Sequence, residues 1–363
     1  MSKLSRLSSL LSLLLCAAAP VFAQAPPVTT VATGLSDPRG LAFAPNGDLY
    51  VAEAWTAPGT LTTTNCFQSV IGPFTGGFTS RISRVRRGST TPEVVADGFA
   101  SSRAAVGDNF GLADLTFNGP HLLALSGGGG CSKGHPDAVS EVVAVDRGGT
   151  RRSLANLSAW ILDNPGQKGV EQFQTPDYEP DGVWFGMTRH RGRLLVVEAN
   201  HGLLVEVDPA AGGHDGTRGD DVSLVADLYK TFGDNTYTSL ATRGREIYLG
   251  TYGRFDNNFA GGIYKLSPRG HVQVASGLNS VIAIAFDREQ RLYALQAPIF
   301  DGGGAGLGSL VRINDDGTHT VLLSGLASPG SLTRGPDGAL YVTQCSFHCA
   351  PGTGWVSRVD AGH

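Results

Sequence analysis

The chain has 363 residues and a formal net charge of −4, with 28 basic and 32 acidic side chains. No basic cluster stands out, so the charge pattern argues against a nucleic acid partner. A chain of this length buries a large core without needing a metal or a disulfide, and its 50 Gly and 19 Pro indicate many tight turns.

The first 23 residues have the pattern of a secretory signal peptide. Lys3 and Arg6 give a positive start, residues 10–19 are apolar, and cleavage is expected after Ala23. The apolar run is too short to span a bilayer, and no later segment is long enough. We therefore expect an exported protein, periplasmic or secreted, whose mature part is a single domain over residues 24–363.

Four cysteines remain in the mature chain, and an even number in an exported protein favours disulfides. We favour the pairs Cys66–Cys131 and Cys345–Cys349. An alternative for the second pair is a metal site formed by Cys345, His348 and Cys349.

A four-strand unit recurs six times along the chain. It is clearest in "GLAFAPNGDLYVAE" (residues 40–53) and "SLTRGPDGALYVTQ" (residues 331–344). When the copies are aligned on their second strand, one position holds Leu49, Leu122, Leu194, Ile247, Leu292 and Leu340. Four short strands per unit, repeated six times, predict an all-β, six-bladed β-propeller.

The last copy ends after three strands, near residue 360. A spare strand, "VTTVAT" (residues 28–33), resembles the fourth strand of the other copies. We expect this N-terminal strand to complete the C-terminal blade and close the ring, which leaves no open sheet edge. An open β-solenoid is the alternative, but it would leave the spare strand without a partner.

Apart from residues 209–221, which join a third strand to a fourth, the long connections follow the second strand of a unit or precede the first strand, so antiparallel geometry puts them on one face. We call this the long-loop face; its segments are residues 55–79, 98–111, 127–140, 158–185, 252–261, 297–308 and 345–354. Long loops on one face of a rigid scaffold are where binding sites are usually built.

Polar residues occupy the position at which the second strand of every unit ends. This ring consists of Glu53, Ser126, Glu198, Thr251, Gln296 and Gln344. We expect the ring at or just inside the mouth of the central channel, where it could contact a ligand. The alternative is that each member only hydrogen-bonds loop backbone, as buried polar groups must.

Asp114 is the exception at the first position of strand one, which is otherwise small. It is therefore a candidate channel residue. Together with Glu53 and Glu198 it could supply oxygen ligands for a divalent cation such as Ca²⁺.

The loops that enter strand one add further polar residues. Arg39 is a candidate ligand contact, and Asp181 and His190 are candidates for a general base. Asp and Asn also form turns readily, and a lone His is more often structural than catalytic. No nucleophile elbow, zinc helix or phosphate-binding loop occurs in the chain.

Several segments resemble the ScyD/ScyE family, secreted relatives of NHL-repeat propellers. They are "VATGLSDPRGLAFAPNGDLYVAEA" (residues 31–54), "GLADLTF", "GRLLVVEANHGLLVEVD" and "LASPGSLTRGPDGALYVTQ". The resemblance runs from about residue 29 to 360 and implies an exported six-bladed propeller, without implying a reaction. Asp114 and Glu53 fall where members of the family are similarly acidic, whereas Ala283 replaces an expected Asp.

Three functions compete. The first is a binding module, expected to be a monomer, that holds a small molecule or a protein at the long-loop face. The second is a metal-dependent lactonase or esterase, resembling gluconolactonase-type propellers. The third is a quinone-dependent sugar dehydrogenase, which would need a His and an Arg in the channel; Arg39 and His190 are only loosely placed for it. Fold alone does not choose among them.

Overall fold

The computed structural model is built almost entirely of short antiparallel strands. It describes residues 25–55, 57, 72–172, 178–210, 221–254, 259–298 and 306–362. The expected signal peptide and Cys66 lie outside these residues, so the leader and the Cys66–Cys131 disulfide stay predictions.

The strands form six sheets, five of them made of consecutive strands and the sixth joining β1 to the last three strands, and this confirms the six-bladed propeller. From the centre outwards, blade one contains β2 (Pro38–Phe43), β3 (Leu49–Glu53), β4 (Phe74–Val85) and β5 (Pro92–Ala104), with the added β6 (Asn109–Phe110). Blade two contains β7 (Leu112–Asn118), β8 (His121–Ser126), β9 (Glu141–Val145) and β10 (Arg151–Asn156). Blade three contains β11 (Trp184–His190), β12 (Arg193–Glu198), β13 (Leu203–Val207) and β14 (Val222–Asp227). Blade four contains β15 (Thr236–Arg243), β16 (Glu246–Gly253), β17 (Ala260–Ser267) and β18 (Gly270–Asn279). Blade five contains β19 (Val281–Phe286), β20 (Leu292–Gln296), β21 (Leu307–Ile313) and β22 (His319–Ala327). Blade six contains β23 (Leu332–Arg334), β24 (Leu340–Gln344), β25 (Gly354–Val359) and the N-terminal β1 (Val28–Leu35).

The ring closes through the first and last strands. β1 pairs antiparallel with β25, from Val28 opposite Val359 to Leu35 opposite Gly354. Beyond the strands, the backbone N–H of Asp360 donates to the carbonyl of Pro27 at 3.0 Å. The prediction that an N-terminal strand completes the last blade is confirmed, and the strand runs two residues further than the repeat indicated.

Packing between neighbouring blades forms the core. Ile82 of blade one and Leu122 and Val143 of blade two belong to one buried cluster, and similar clusters join the other blades. Because each sheet is covered on both faces, side chains of both strand orientations become buried. Each fully buried Leu, Ile or Val contributes roughly 1.5–3 kcal/mol.

The innermost strands approach each other closely at the axis. A Cβ added at Gly40 would lie 2.7 Å from the backbone nitrogen of Leu115 on the next blade. The small residues that open strand one are therefore required by the crowding of the ring.

Three short helices and a 3-10 turn interrupt the β pattern: α1 (Leu157–Asp163), α2 (Gly166–Gln172), α3 (Leu228–Phe232) and η1 (Cys131–Lys133). The Asn156 side chain caps α1 by accepting from the N–H of Ala159 at 2.9 Å. None of the helices in the described ranges is long and apolar enough to cross a membrane.

Candidate functional site

A cavity of about 860 Å³ occupies the axis of the propeller. The first strands of all six blades form its wall, and the lining is mostly apolar, with residues such as Leu41, Met187 and Ile282. Asp108 and His348 of the long loops, together with Arg39 near the start of β2, line it at one end. The cavity therefore reaches the long-loop face, which the sequence predicted to be the binding side.

Asp114 lies on the cavity wall, in the slot that the sequence singled out. Its two carboxyl oxygens accept from the backbone N–H of Leu115 and of Met187, each at 2.8 Å, so the side chain links blades two and three. Burial raises the pKa of Asp114 to about 7, and the two backbone donors oppose that increase. The carboxyl can therefore exchange a proton near neutral pH.

A polar cluster borders the cavity mouth where blade one meets blade two. Asp37, with a φ of 43°, is in the left-handed region and is 2% exposed. The amide nitrogen of Asn109 donates to one Asp37 oxygen, and the other oxygen has no hydrogen-bond partner among the described residues. Burial raises the pKa of Asp37 to about 6, although Arg39 and Asn109 favour the charged form.

Arg39 is the buried cation of this cluster. Its side chain is 8% exposed, its Nη2 donates to the carbonyl of Asn109 at 2.9 Å, and its guanidinium carbon lies 3.5 Å from the centre of the Phe347 ring. Its Nε has no hydrogen-bond partner in the described part of the chain. Burial lowers the pKa of Arg39 to about 10, so the group remains charged at neutral pH.

The last long loop brings Phe347 and His348 to the cavity. The disulfide Cys345–Cys349, with Cα atoms 5.5 Å apart, closes this five-residue loop and confirms the predicted pair. The alternative metal site at these cysteines is wrong, because the two sulfurs are bonded to each other. His348 instead places its Nε2 at 2.9 Å from an Asp108 oxygen.

The sequence reading missed Phe347 and His348 as members of the cavity mouth. Their position between two cysteines of a long-loop segment was the available signal. Only the closed ring shows that this loop packs beside blade one.

The ring of six polar residues has a different position from the one expected. All six are buried, at 6% exposure or less, and none lines the cavity. Their side chains lie between strands and loops, so they do not surround the channel mouth as the sequence suggested. Five of the six accept a hydrogen bond from loop or strand backbone, as the alternative interpretation predicted.

Glu53, the member of the polar ring on blade one, accepts four hydrogen bonds. Arg81 donates to it from Nε at 2.7 Å and from Nη2 at 2.9 Å, and the Ser36 N–H and Ser83 hydroxyl donate at 2.7 and 2.5 Å. Ser36 lies between β1 and β2, so this carboxylate fastens the closing strand to the first blade.

Glu198 does the same for the loops of blade three. It accepts from the backbone N–H groups of Val183, Asn200, His201 and Gly202, at 2.5–3.1 Å. A carboxylate with four donors needs no cation to be stabilised.

The neutral members of the ring make the same kind of contact. Gln296, Gln344 and Thr251 accept from the backbone N–H groups of Asn279, Ala327 and Gly262, at 2.6, 3.0 and 3.0 Å respectively. Ser126 is buried at the end of β8 in the equivalent place.

The three candidate metal ligands are not brought together. Among the described residues, no group of three His, Cys, Asp or Glu side chains could hold a metal ion. Glu53 and Glu198 are engaged with loop donors, while Asp114 alone reaches the cavity. The residues present therefore do not fit the Ca²⁺ site that the sequence suggested.

The two general-base candidates also lie outside the cavity lining. One Asp181 oxygen accepts from the N–H and the hydroxyl of Ser132, both at 2.6 Å. His190 is the last residue of β11 and lies at the short turn on the side opposite the long loops. Burial and the nearby charge of Arg191 lower its pKa. Neither placement supports a part in chemistry at the cavity.

Comparison with known proteins adds information on the fold alone. No family model matches the chain, and no curated protein matches it in sequence. Solved structures do: a gluconolactonase from Xanthomonas campestris has 10% identity and a TM-score of 0.55, covering 92% of this chain and 89% of its own. A PQQ-bound aldose sugar dehydrogenase from Streptomyces coelicolor has 14% identity and a TM-score of 0.55, covering 92% and 100%. A glucose dehydrogenase has 16% identity and a TM-score of 0.56, covering 92% and 99%.

Proposed function

We propose that this chain is an exported binding protein whose central cavity takes up a small molecule from the long-loop face. The observation that carries this proposal is the cavity itself. Its volume of about 860 Å³ falls in the range of roughly 300–1,000 Å³ that is typical of ligand sites. Mostly apolar walls with a few polar groups are also typical of such sites.

Filling the cavity tests the proposal. We would titrate the protein with pyrenebutanol, a neutral fluorescent probe with a flat apolar body, and replace Ser331 on the cavity wall by tryptophan. Ser331→Trp should abolish saturable, one-to-one binding because the indole occupies the probe's space. The matched control is Ser223→Trp on the exposed outer strand β14, which should bind like the unmodified protein.

Two results would contradict the proposal. One is the absence of a saturable site in the unmodified protein both for pyrenebutanol and for pyrenebutyrate, the carboxylate with the same pyrene body. The other is equal binding by both tryptophan variants, which would place the probe outside the cavity.

Hydrolysis of a lactone or an ester is the second candidate, and Asp114 is the observation that favours it. A carboxyl group on a cavity wall with a pKa of about 7 is in the range in which a general base works. We would screen aliphatic lactones and nitrophenyl esters, with and without a chelator. In this reading Asp114→Asn loses turnover but still binds pyrenebutanol; no turnover of any substrate by the unmodified protein would count against it.

A further inference from the structure

A buried arginine, Arg39, lines the cavity at its mouth and stacks on Phe347. Building on the proposed function, we infer that the ligand is an organic monocarboxylate, whose carboxylate binds Arg39 while its apolar body extends along the axis. The inference goes beyond cavity binding, because it names the class of ligand and its orientation.

The first argument is the state of the Arg39 charge. A buried cation is costly unless an anion or several acceptors stabilise it. Arg39 is 8% exposed, yet in the described part of the chain its Nη2 bonds only a neutral carbonyl and its Nε bonds nothing. Asp37 and Asp108 attract it only through space, since Asp37 bonds Asn109 and Asp108 pairs with His348.

The second argument is geometric order. Stacking on Phe347 fixes the plane of the guanidinium, and the bond to Asn109 fixes its rotation. A guanidinium held in this way has lost its conformational freedom before a ligand arrives. Its fork geometry then suits a carboxylate, which it can bind through two parallel hydrogen bonds.

The third argument concerns the rest of the cavity. Leu41, Met187 and Ile282 provide apolar wall, which suits a hydrocarbon or aromatic body. Asp114, the carboxyl further along the first strands, would repel a second negative charge when ionised. The ligand therefore carries one anionic end, and its other end is apolar or donates a hydrogen bond.

A matched pair of probes isolates the charge. Pyrenebutyrate and pyrenebutanol share the same apolar body and differ in the carboxylate, and both can be followed by fluorescence titration. We expect pyrenebutyrate to bind the unmodified protein more tightly than pyrenebutanol. In Arg39→Gln its affinity should fall about 10- to 100-fold, the usual effect of losing a charge-assisted pair, with pyrenebutanol changed less than about twofold.

The chain offers a control in the same cavity. Arg334 lines the cavity at the opposite end and is exposed to solvent, so Arg334→Gln removes the same charge away from the long-loop face. It should reduce the affinity for pyrenebutyrate much less than Arg39→Gln does, because Arg334 lies at the end of the cavity away from Arg39. Arg39→Lys keeps the positive charge but loses the two-pronged guanidinium geometry, so its affinity for pyrenebutyrate should be intermediate. This variant replaces Arg39→Gln in the test if the glutamine variant fails to fold.

The outcomes separate this inference from the function on which it rests. If neither probe binds, the cavity is not a small-molecule site and both ideas fail. If pyrenebutanol binds in the cavity but pyrenebutyrate binds no better, or Arg39→Gln weakens both equally, only the monocarboxylate inference fails. A loss confined to Arg334→Gln would also overturn it, because the anion would then sit at the other end.

Discussion

Replacing Glu53 by glutamine should destabilise the propeller strongly although the side chain keeps its size. The carboxylate is fully buried and accepts four hydrogen bonds, two of them from Arg81. An amide has one acceptor oxygen, so in either orientation its NH₂ group faces donors. About two bonds are lost, each worth roughly 1.5 kcal/mol when one partner is charged.

The expected loss is therefore roughly 2–3 kcal/mol, at the lower end because the Arg81 side chain is 29% exposed and water can replace part of the pairing. Urea unfolding followed by circular dichroism measures it as a lower midpoint with an unchanged slope. The matched control is Glu93→Gln, which removes an exposed carboxylate that pairs with Arg84 and Arg86, and it should have no measurable effect.

A Glu53→Gln variant as stable as the control would refute this reasoning. It would mean that the carboxylate contributes nothing as an anchor between the closing strand and blade one. A buried carboxylate without a structural role would then require another explanation, and the metal-ligand hypothesis would regain weight.

Three further predictions concern the axis and the mouth of the cavity. Gly40→Ala should cost about 3 kcal/mol or prevent folding, measured by the same urea titration, because its Cβ would overlap the neighbouring strand; a neutral result would show that the inner strands separate easily. The unfolded pKa of Asp114 is 3.8 and its folded pKa is about 7, so the native state binds more protons in between. Stability should thus fall by up to about 4 kcal/mol as pH rises through this window, at about 1.4 kcal/mol per unit of pKa shift, and Asp114→Asn should flatten the profile; an unchanged profile in the variant would contradict this. Replacing Cys345 and Cys349 by serine should weaken pyrenebutyrate binding several-fold with little loss of global stability, since the bridge closes only a short loop; equal affinity would show that the loop keeps its shape unaided.

The repeat made the architecture predictable. Leu49 and its five equivalents stand at the same place in every second strand, and the incomplete last copy identified the closing strand. These signals are local patterns that recur in six copies, so a strand that is hard to assign in one copy can be placed by alignment with the others. The fold could therefore be derived from the sequence with its strand order.

The site was only partly predictable, because its contacts join distant parts of the chain. Asp114 was found, since it breaks a pattern of small residues. The bond between Asn109 and Asp37 spans 72 positions, and the stacking of Arg39 on Phe347 depends on ring closure. Nor could the pattern tell whether Glu53 and Glu198 face the channel or the loops, because both directions bury a polar group at a strand end.

The hydrogen bond between Asp360 and Pro27 has a consequence for how the molecule could be rearranged. The two ends of the described chain meet on the two outer strands of one sheet, β1 and β25, so a short linker could join them into a covalent circle. New ends could then be opened between two blades, for example at the exposed Gly233 between α3 and β15, so that every blade would consist of strands consecutive in the new chain. In such a permutant the sixth blade would assemble from neighbouring hairpins, and the slow search of one chain end for the other would disappear from folding.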